Sequence, residues 1–152
     1  MYPIEMTRPM AEELVNAGFS SLTSPEQVEE ILSKKEGTTL VVVNSVCGCA
    51  AAQARPGVTL AIKSEKRPDH LITVFAGVDK EAVAQARQHM VPYPPSSPSI
   101  ALFKDGELVH MLERHHIEGR SAQMIADNLV GHLSIFAKPL PVKVSMDKRF
   151  FV

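Results

Sequence analysis

The chain has 152 residues, of which 45% are hydrophobic and 22% charged, with a formal net charge of −1. That length suits about one domain with a full core, and the composition argues against global disorder and against a phosphate-binding footprint. The start, Met1-Tyr2-Pro3-Ile4-Glu5-Met6, has neither the basic nor the apolar region of a signal peptide. No apolar run approaches the roughly 20 residues that span a bilayer. The expectation is a cytoplasmic protein with no nucleic-acid and no membrane partner, in a compartment where small thiols keep ordinary cysteines reduced.

In chain order, the segment after Pro9, Met10 to Val15, reads as a helix that stops at Gly18. Ser24-Pro25-Glu26-Gln27 is a helix start: Ser24 as cap, proline in the first turn, and Gln27 closing a capping box. Val28, Ile31 and Leu32 then share a face, and Gly37 ends the helix. Leu40 to Asn44 is apolar and β-branched, the pattern of a strand covered on both faces. Cys49 through Ala54 is rich in helix formers, and Pro56 should kink that helix by removing the bond to Ala52.

Leu71 to Phe75 reads as the second strand, and Asp79 as the cap of a helix with Val83, Ala86 and Met90 on its apolar face. Tyr93 to Pro98 is a proline-rich loop. Strands Ile100–Phe103 and Leu108–Leu112 flank Lys104-Asp105-Gly106-Glu107, whose Asp-Gly is a hairpin signal. A last helix begins near Ser121 and aligns Ile125, Leu129, Leu133 and Phe136. The predicted fold class is α/β: a four-stranded mixed sheet flanked by helices, in one domain over 1–137. Residues 1–37 form an N-terminal helical extension, and 138–152 a mixed-charge, proline-interrupted tail.

Both cysteines of the chain fall in Cys47-Gly48-Cys49, at the junction between the first strand and the helix after it. At such a junction the helix dipole and free backbone N–H groups lower a thiol's pKa below about 8.5. A reactive thiolate beside a partner thiol is the minimal apparatus of thiol–disulfide exchange. Two soft ligands so close also fit a metal or iron–sulfur cluster carrier, with four thiolates supplied across a dimer. The absence of a third cysteine weighs against that alternative.

The order of elements, with a cysteine pair after the first strand and Ser97-Pro98 just before the hairpin, resembles the thioredoxin fold. The stretches Leu40 to Ala51, Val74-Phe75-Ala76-Gly77 and Pro95-Ser96-Ser97-Pro98-Ser99, together with Arg114-His115 and Ile117-Glu118-Gly119, are similar to the bacilliredoxin family. That resemblance implies an oxidoreductase that removes bacillithiol, or a similar small thiol, from mixed disulfides on client proteins, with disulfide isomerase activity in related members. It implies Cys47 as nucleophile and Cys49 as resolving thiol, no resident cofactor, and a low-molecular-weight thiol as co-substrate. Gly48, Ser97 and Pro98 are the implied substrate-binding residues, with Pro98 in the cis form and the Ser97 backbone turned to the client. The chain departs from thioredoxins in having Val46 and no tryptophan before the motif, and no carboxylate within Leu40 to Val43. Those departures imply a narrower or different client set.

No metal ligand is assigned among the six histidines. His115 and His116, read as a loop or strand end, would point to opposite faces. His110 is read as a half-buried sheet residue, and His89 and His132 as lying on helix surfaces. Arg114 and Glu118 are read as surface or loop-anchoring charges, with recognition of an anionic small thiol as the lesser alternative. For the tail, docking on the domain, mediating a homodimer and disorder are all open, and docking is favoured because Phe150 and Phe151 are costly to leave exposed.

Overall fold

A computed structural model describes residues 1–139. Its elements are helix α1 (Ile4–Ala17), strand β1 (Ser20–Ser21), α2 (Pro25–Leu32), β2 (Thr38–Asn44), a π-helical turn (Ala50–Ala54) running into α3 (Arg55–Ala61), β3 (Lys66–Arg67) and β4 (His70–Phe75). There follow α4 (Lys80–Gln88), the hairpin β5 (Ser99–Lys104) and β6 (Glu107–Leu112), α5 (Arg114–Ile117), α6 (Ala122–Phe136) and β7 (Lys138–Pro139). Among the described residues no helix is long and apolar enough to cross a membrane.

The main sheet has five strands, not four, in the order β1-β4-β2-β5-β6. β2 pairs parallel with β4, as the helix between them requires, and antiparallel with β5, while the Asp105-Gly106 turn makes β5 and β6 antiparallel. The added strand is the polar pair Ser20–Ser21, aligned with Ile72 and Thr73 of β4. It has no hydrophobic pattern of its own; the neighbouring Leu22 N–H bonds the Thr73 carbonyl and extends the pairing. The N-terminal segment thus supplies a sheet edge as well as two helices.

Every residue of β2 is buried, and its alternation sorts the core. Leu40 and Val42 face a layer with Leu14, Val58, Ile125, Leu129 and Leu133 from α1, α3 and α6. Val41 and Val43 face the other layer, with Val28 and Leu32 from α2 and Val83, Ala86 and Met90 around α4. Each such large side chain contributes about 1.5–3 kcal/mol on full burial. The capping box at Ser24 forms as expected, with Gln27 N–H on the Ser24 hydroxyl and the Gln27 carbonyl oxygen accepting from the Ser24 N–H. The hairpin turn puts Asp105 at φ 52° and Gly106 at φ 83°, the left-handed pair that a two-residue hairpin loop demands.

Four local expectations are corrected. α1 starts at Ile4 and runs through Pro9, because its first turn is anchored where Met6 and Thr7 N–H groups share the Pro3 carbonyl. The helix after the cysteines does not simply kink at Pro56. It opens as a π-turn, in which Arg55 N–H reaches back five residues to the Ala50 carbonyl, and Pro56 falls in the first turn of α3, where its missing N–H costs least. Asp79 stands at the N-cap of α4, yet its side chain caps nothing: its φ of −100° and ψ of 67° lie outside the usual extended cap geometry. His115 and His116 lie on α5, not on a strand.

Of the C-terminal tail, Lys138–Pro139 pairs with Lys66–Arg67 as a two-stranded ribbon. The remainder, including Phe150 and Phe151, lies outside the described residues.

Candidate active site around Cys47

β2 delivers the chain to Asn44, which is buried at the sheet's C-terminal edge. The turn that follows is held by side chains. Asn44 Nδ2 donates to the Met10 carbonyl of α1, and Asn44 Oδ1 accepts from Ser45 N–H at 2.9 Å. Arg55 is folded back under this turn and is only 4% exposed. Its Nη1 donates to Asn44 Oδ1 (3.1 Å) and to the Ser45 carbonyl (3.0 Å), while Nε donates to Glu13 Oε2 of α1 at 2.7 Å. A buried cation with three partners therefore lies beneath the motif, next to the apolar stretch Leu40 to Val43 of β2. A guanidinium stripped of water is tolerated only when its donors are satisfied in this way.

Above that network stand the sulfurs. Cys47 and Cys49 are both half-buried free thiols, with their Sγ atoms 2.7 Å apart. The Ser45 hydroxyl donates to Cys47 Sγ at 3.2 Å and accepts the Cys47 N–H at 3.3 Å. Burial pushes the Cys47 thiol up, but hydrogen bonds from the Cys49 thiol, the Ser45 hydroxyl and the Ala50 and Cys49 N–H groups outweigh it and hold the pKa below the ordinary value. Cys49 moves the other way: burial raises it, the neighbouring Cys47 raises it further by hydrogen bond and by charge, and Arg114 only partly offsets this. Of the two thiols, Cys47 is therefore the first to lose its proton.

Cys47 opens on a cavity of about 240 Å³. Ser45, Val46 and Cys47 form one wall, Tyr2, Ala76 and Gly77 another, and Ser97 and Arg114 face them. Cys49 leans instead on the core layer of α1, α3 and α6. The aromatic wall depends on Gly77, whose φ is +84° and whose missing side chain makes room: a Cβ there would lie 2.7 Å from Tyr2 Cε2. Tyr2 N–H bonds the Gly77 carbonyl and fixes the chain start to this edge.

The Ser97–Pro98 peptide is cis, as the resemblance implied, and Pro98 is buried. Two arginines hold the loop before it: Arg87 Nη2 donates to the Ser96 carbonyl at 3.4 Å, and Arg114 Nη1 to the Ser97 carbonyl at 3.3 Å. Of the implied site residues, Cys47 and Ser97 share the cavity, Cys49 touches Cys47 from the core side, and Pro98 follows Ser97 in the buried stretch. Gly48 is exposed between the sulfurs, and a Cβ there would meet nothing within 4 Å.

Ser45, Arg55 and Tyr2 were not singled out from sequence. Arg55 carried a signal, as the only charged residue between Cys49 and Ile62. Ser45 and Tyr2 carried none, since their positions follow from the turn and from the docking of the chain start.

Among the described residues no histidine lines the Cys47 cavity. Ligating atoms of Glu113, His115 and His116 lie within 4.8 Å of one another. One of them is already engaged, because His116 Nδ1 accepts the Glu113 N–H at 3.0 Å. His110 stacks on His132 with ring centroids 3.4 Å apart and bonds Asn128. His89 bonds Glu29 at 2.8 Å and so ties α4 to α2.

Known proteins agree with this architecture. Residues 2–137 match a family described as disulphide isomerase. A bacilliredoxin of Cytophaga hutchinsonii is 64% identical over 129 residues, which cover 85% of this chain and 95% of that one. A bacilliredoxin of Geobacillus kaustophilus is 53% identical over 130 residues, covering 85% and 90%. Among solved structures, a thioredoxin of Fasciola hepatica superposes with a TM-score of 0.53 at 17% identity, covering 75% of this chain and 98% of its own. A thioredoxin of Entamoeba histolytica gives 0.53 at 15%, covering 76% and 99%. The solved structures show the thioredoxin fold, and the close relatives show the rest: the chain belongs to the bacilliredoxin family and is a thiol redox protein.

Proposed function

We propose that this protein is a cytoplasmic thiol–disulfide oxidoreductase that takes a small thiol, bacillithiol or a similar molecule, off mixed disulfides on client proteins. The observation that carries the reading is the asymmetry of the pair: Cys47 faces the cavity with a lowered pKa, and Cys49 leans on the core with a raised one. In the first step the Cys47 thiolate attacks the small-thiol sulfur of the mixed disulfide. The Cys47–small-thiol bond forms as the old disulfide bond breaks, and the client leaves as a thiolate. Cys49 then gives up its proton and attacks Cys47 Sγ, forming the Cys47–Cys49 disulfide and expelling the small thiolate. Two further molecules of low-molecular-weight thiol reduce that disulfide and are themselves joined as the oxidised dimer. Sulfur does all the chemistry, so no resident cofactor is needed.

In attack on a mispaired client disulfide Cys47 joins one client sulfur and the other leaves as a thiolate. If a different client thiolate then attacks that mixed disulfide before Cys49 acts, a new client disulfide forms, Cys47 leaves as a thiolate, and the isomerisation is complete. The assay is intact-mass spectrometry of a client carrying bacillithiol, and of the same client carrying glutathione, before and after incubation with reduced protein. The expected result is loss of the adduct mass from the client and loss of two hydrogens from this protein. A client that keeps both adducts would reject the proposal.

A further inference from the structure

Arg114 is the one formally charged side chain among the described residues that line the Cys47 cavity. Its fork is only partly used. Nε donates to Glu118 Oε1 at 2.5 Å and Nη1 to the Ser97 carbonyl at 3.3 Å, and among the described residues Nη2 and the second hydrogen of Nη1 have no partner. The Arg114 backbone N–H is bonded to the Ser96 hydroxyl at 3.3 Å, so the residue is anchored at its base while the head stays half exposed. The partner Glu118 is also half exposed, and a surface ion pair of that kind exchanges readily for another carboxylate.

Arg114 Nη1 already takes one of the two acceptor positions of the Ser97 carbonyl, at the rim of this cavity. The cavity volume, about 240 Å³, lies below the usual range of roughly 300–1,000 Å³ for drug-sized ligands. It suits the small-thiol half of a mixed disulfide better than a stretch of polypeptide. A guanidinium fork is the side chain whose geometry best matches a carboxylate.

We propose that Arg114 is the anion-binding element of this cavity and makes the site selective for mixed disulfides whose small-thiol half carries a carboxylate. The inference rests on the exchange reading above and adds its substrate class. The attack then starts from an adduct held at two points, its sulfur at Cys47 and its carboxylate at Arg114, with Tyr2 and Gly77 walling the far side. Glu118 competes for the fork and sets how strong the preference is.

The test uses one client with a single modified cysteine, prepared separately with glutathione, which is anionic, with 2-mercaptoethanol, which is neutral, and with cysteamine, which is cationic. Intact mass gives the initial rate of adduct removal for each. The wild-type protein should remove glutathione fastest and cysteamine slowest, and high salt should compress that spread. In Arg114→Gln the ratio of the glutathione to the mercaptoethanol rate should fall by roughly tenfold, the size of one charge-assisted hydrogen bond. Arg114→Lys should restore part of it, and Glu118→Gln should raise it. Because the ratio is taken within one variant, a general effect on Cys47 reactivity cancels. A ratio unchanged in Arg114→Gln, or a wild type indifferent to adduct charge, would overturn the inference while leaving the exchange reading intact. A wild type that removes none of the three adducts but clears bacillithiol would also overturn the inference, and one that clears neither these nor bacillithiol would sink the exchange reading itself. Should Arg114→Gln not fold, the wild-type order and the Glu118→Gln shift decide the matter.

Discussion

Replacing Ser45 by alanine removes one hydroxyl whose side-chain hydrogen bonds both go to Cys47. Ser45 is buried, and alanine leaves the backbone contacts of Asn44 and Arg55 in place. A hydrogen bond to a charged group is worth about 1.5–3 kcal/mol, and a pKa unit corresponds to 1.36 kcal/mol. Three other donors to the Cys47 sulfur remain, so the lower end applies and the apparent pKa should rise by about one unit. Below that pKa the thiolate fraction falls about tenfold, while a more basic thiolate is about threefold more nucleophilic at a Brønsted slope near 0.4–0.5. Alkylation by iodoacetamide at neutral pH should therefore slow by about threefold. Well above the pKa, where both proteins are ionised, the order should reverse and the variant should react about threefold faster. Thiolate absorbance against pH gives the shift directly, as the lower apparent pKa of the coupled pair. Profiles that superpose, or a variant slower at every pH, would refute the account of how the Cys47 thiolate is stabilised.

The Cys47–Cys49 disulfide closes a smaller ring than a Cys-x-x-Cys pair, and departures from relaxed geometry favour the dithiol. Equilibration against a small-thiol redox buffer should give a potential clearly less negative than the thioredoxin value of about −270 mV, and a value at or below it would contradict the argument. Arg55→Ala strips the Ser45 carbonyl of its buried donor and should cost roughly 2–3 kcal/mol in urea denaturation; a loss under about 0.5 kcal/mol would mean that the network is slack. Asp69 accepts the Thr38 N–H and hydroxyl, and these bonds outweigh burial to lower its pKa. Its contribution is therefore full above its ordinary value near 3.9 and is lost as pH falls through the depressed folded value. Asp69→Asn should flatten the acid limb of the stability curve, and an unchanged limb would show that Asp69 does not report on folding.

What the sequence disclosed was whatever short-range chemistry decides. The Ser24 capping box, the Asp105-Gly106 turn and the apolar face of α6 are each set by residues within a few positions of one another. The Cys47 junction was legible because strand and helix compositions meet there. Two of the misses required tertiary context. Ser20–Ser21 is a strand only because β4 is beside it, and Arg55 enters the core only because Asn44, the Ser45 carbonyl and Glu13 converge on it. The π-turn reconciles Pro56 with a continuous helix, a solution that propensity alone does not single out. His115 and His116 follow β6 so closely that period-two reasoning carried the strand too far, whereas Glu113 starts a new helix.

The central claim is that Cys47 attacks and Cys49 resolves, and intact-mass trapping with a thiol-modified client tests it most directly. Cys49→Ala should strip the client and retain the small thiol on Cys47 as a stable adduct, because the first step needs only the cavity-facing thiolate. Cys47→Ala should leave the client modified and gain no mass. Equal rates for the two variants, or an adduct on Cys49 in Cys47→Ala, would contradict the assignment.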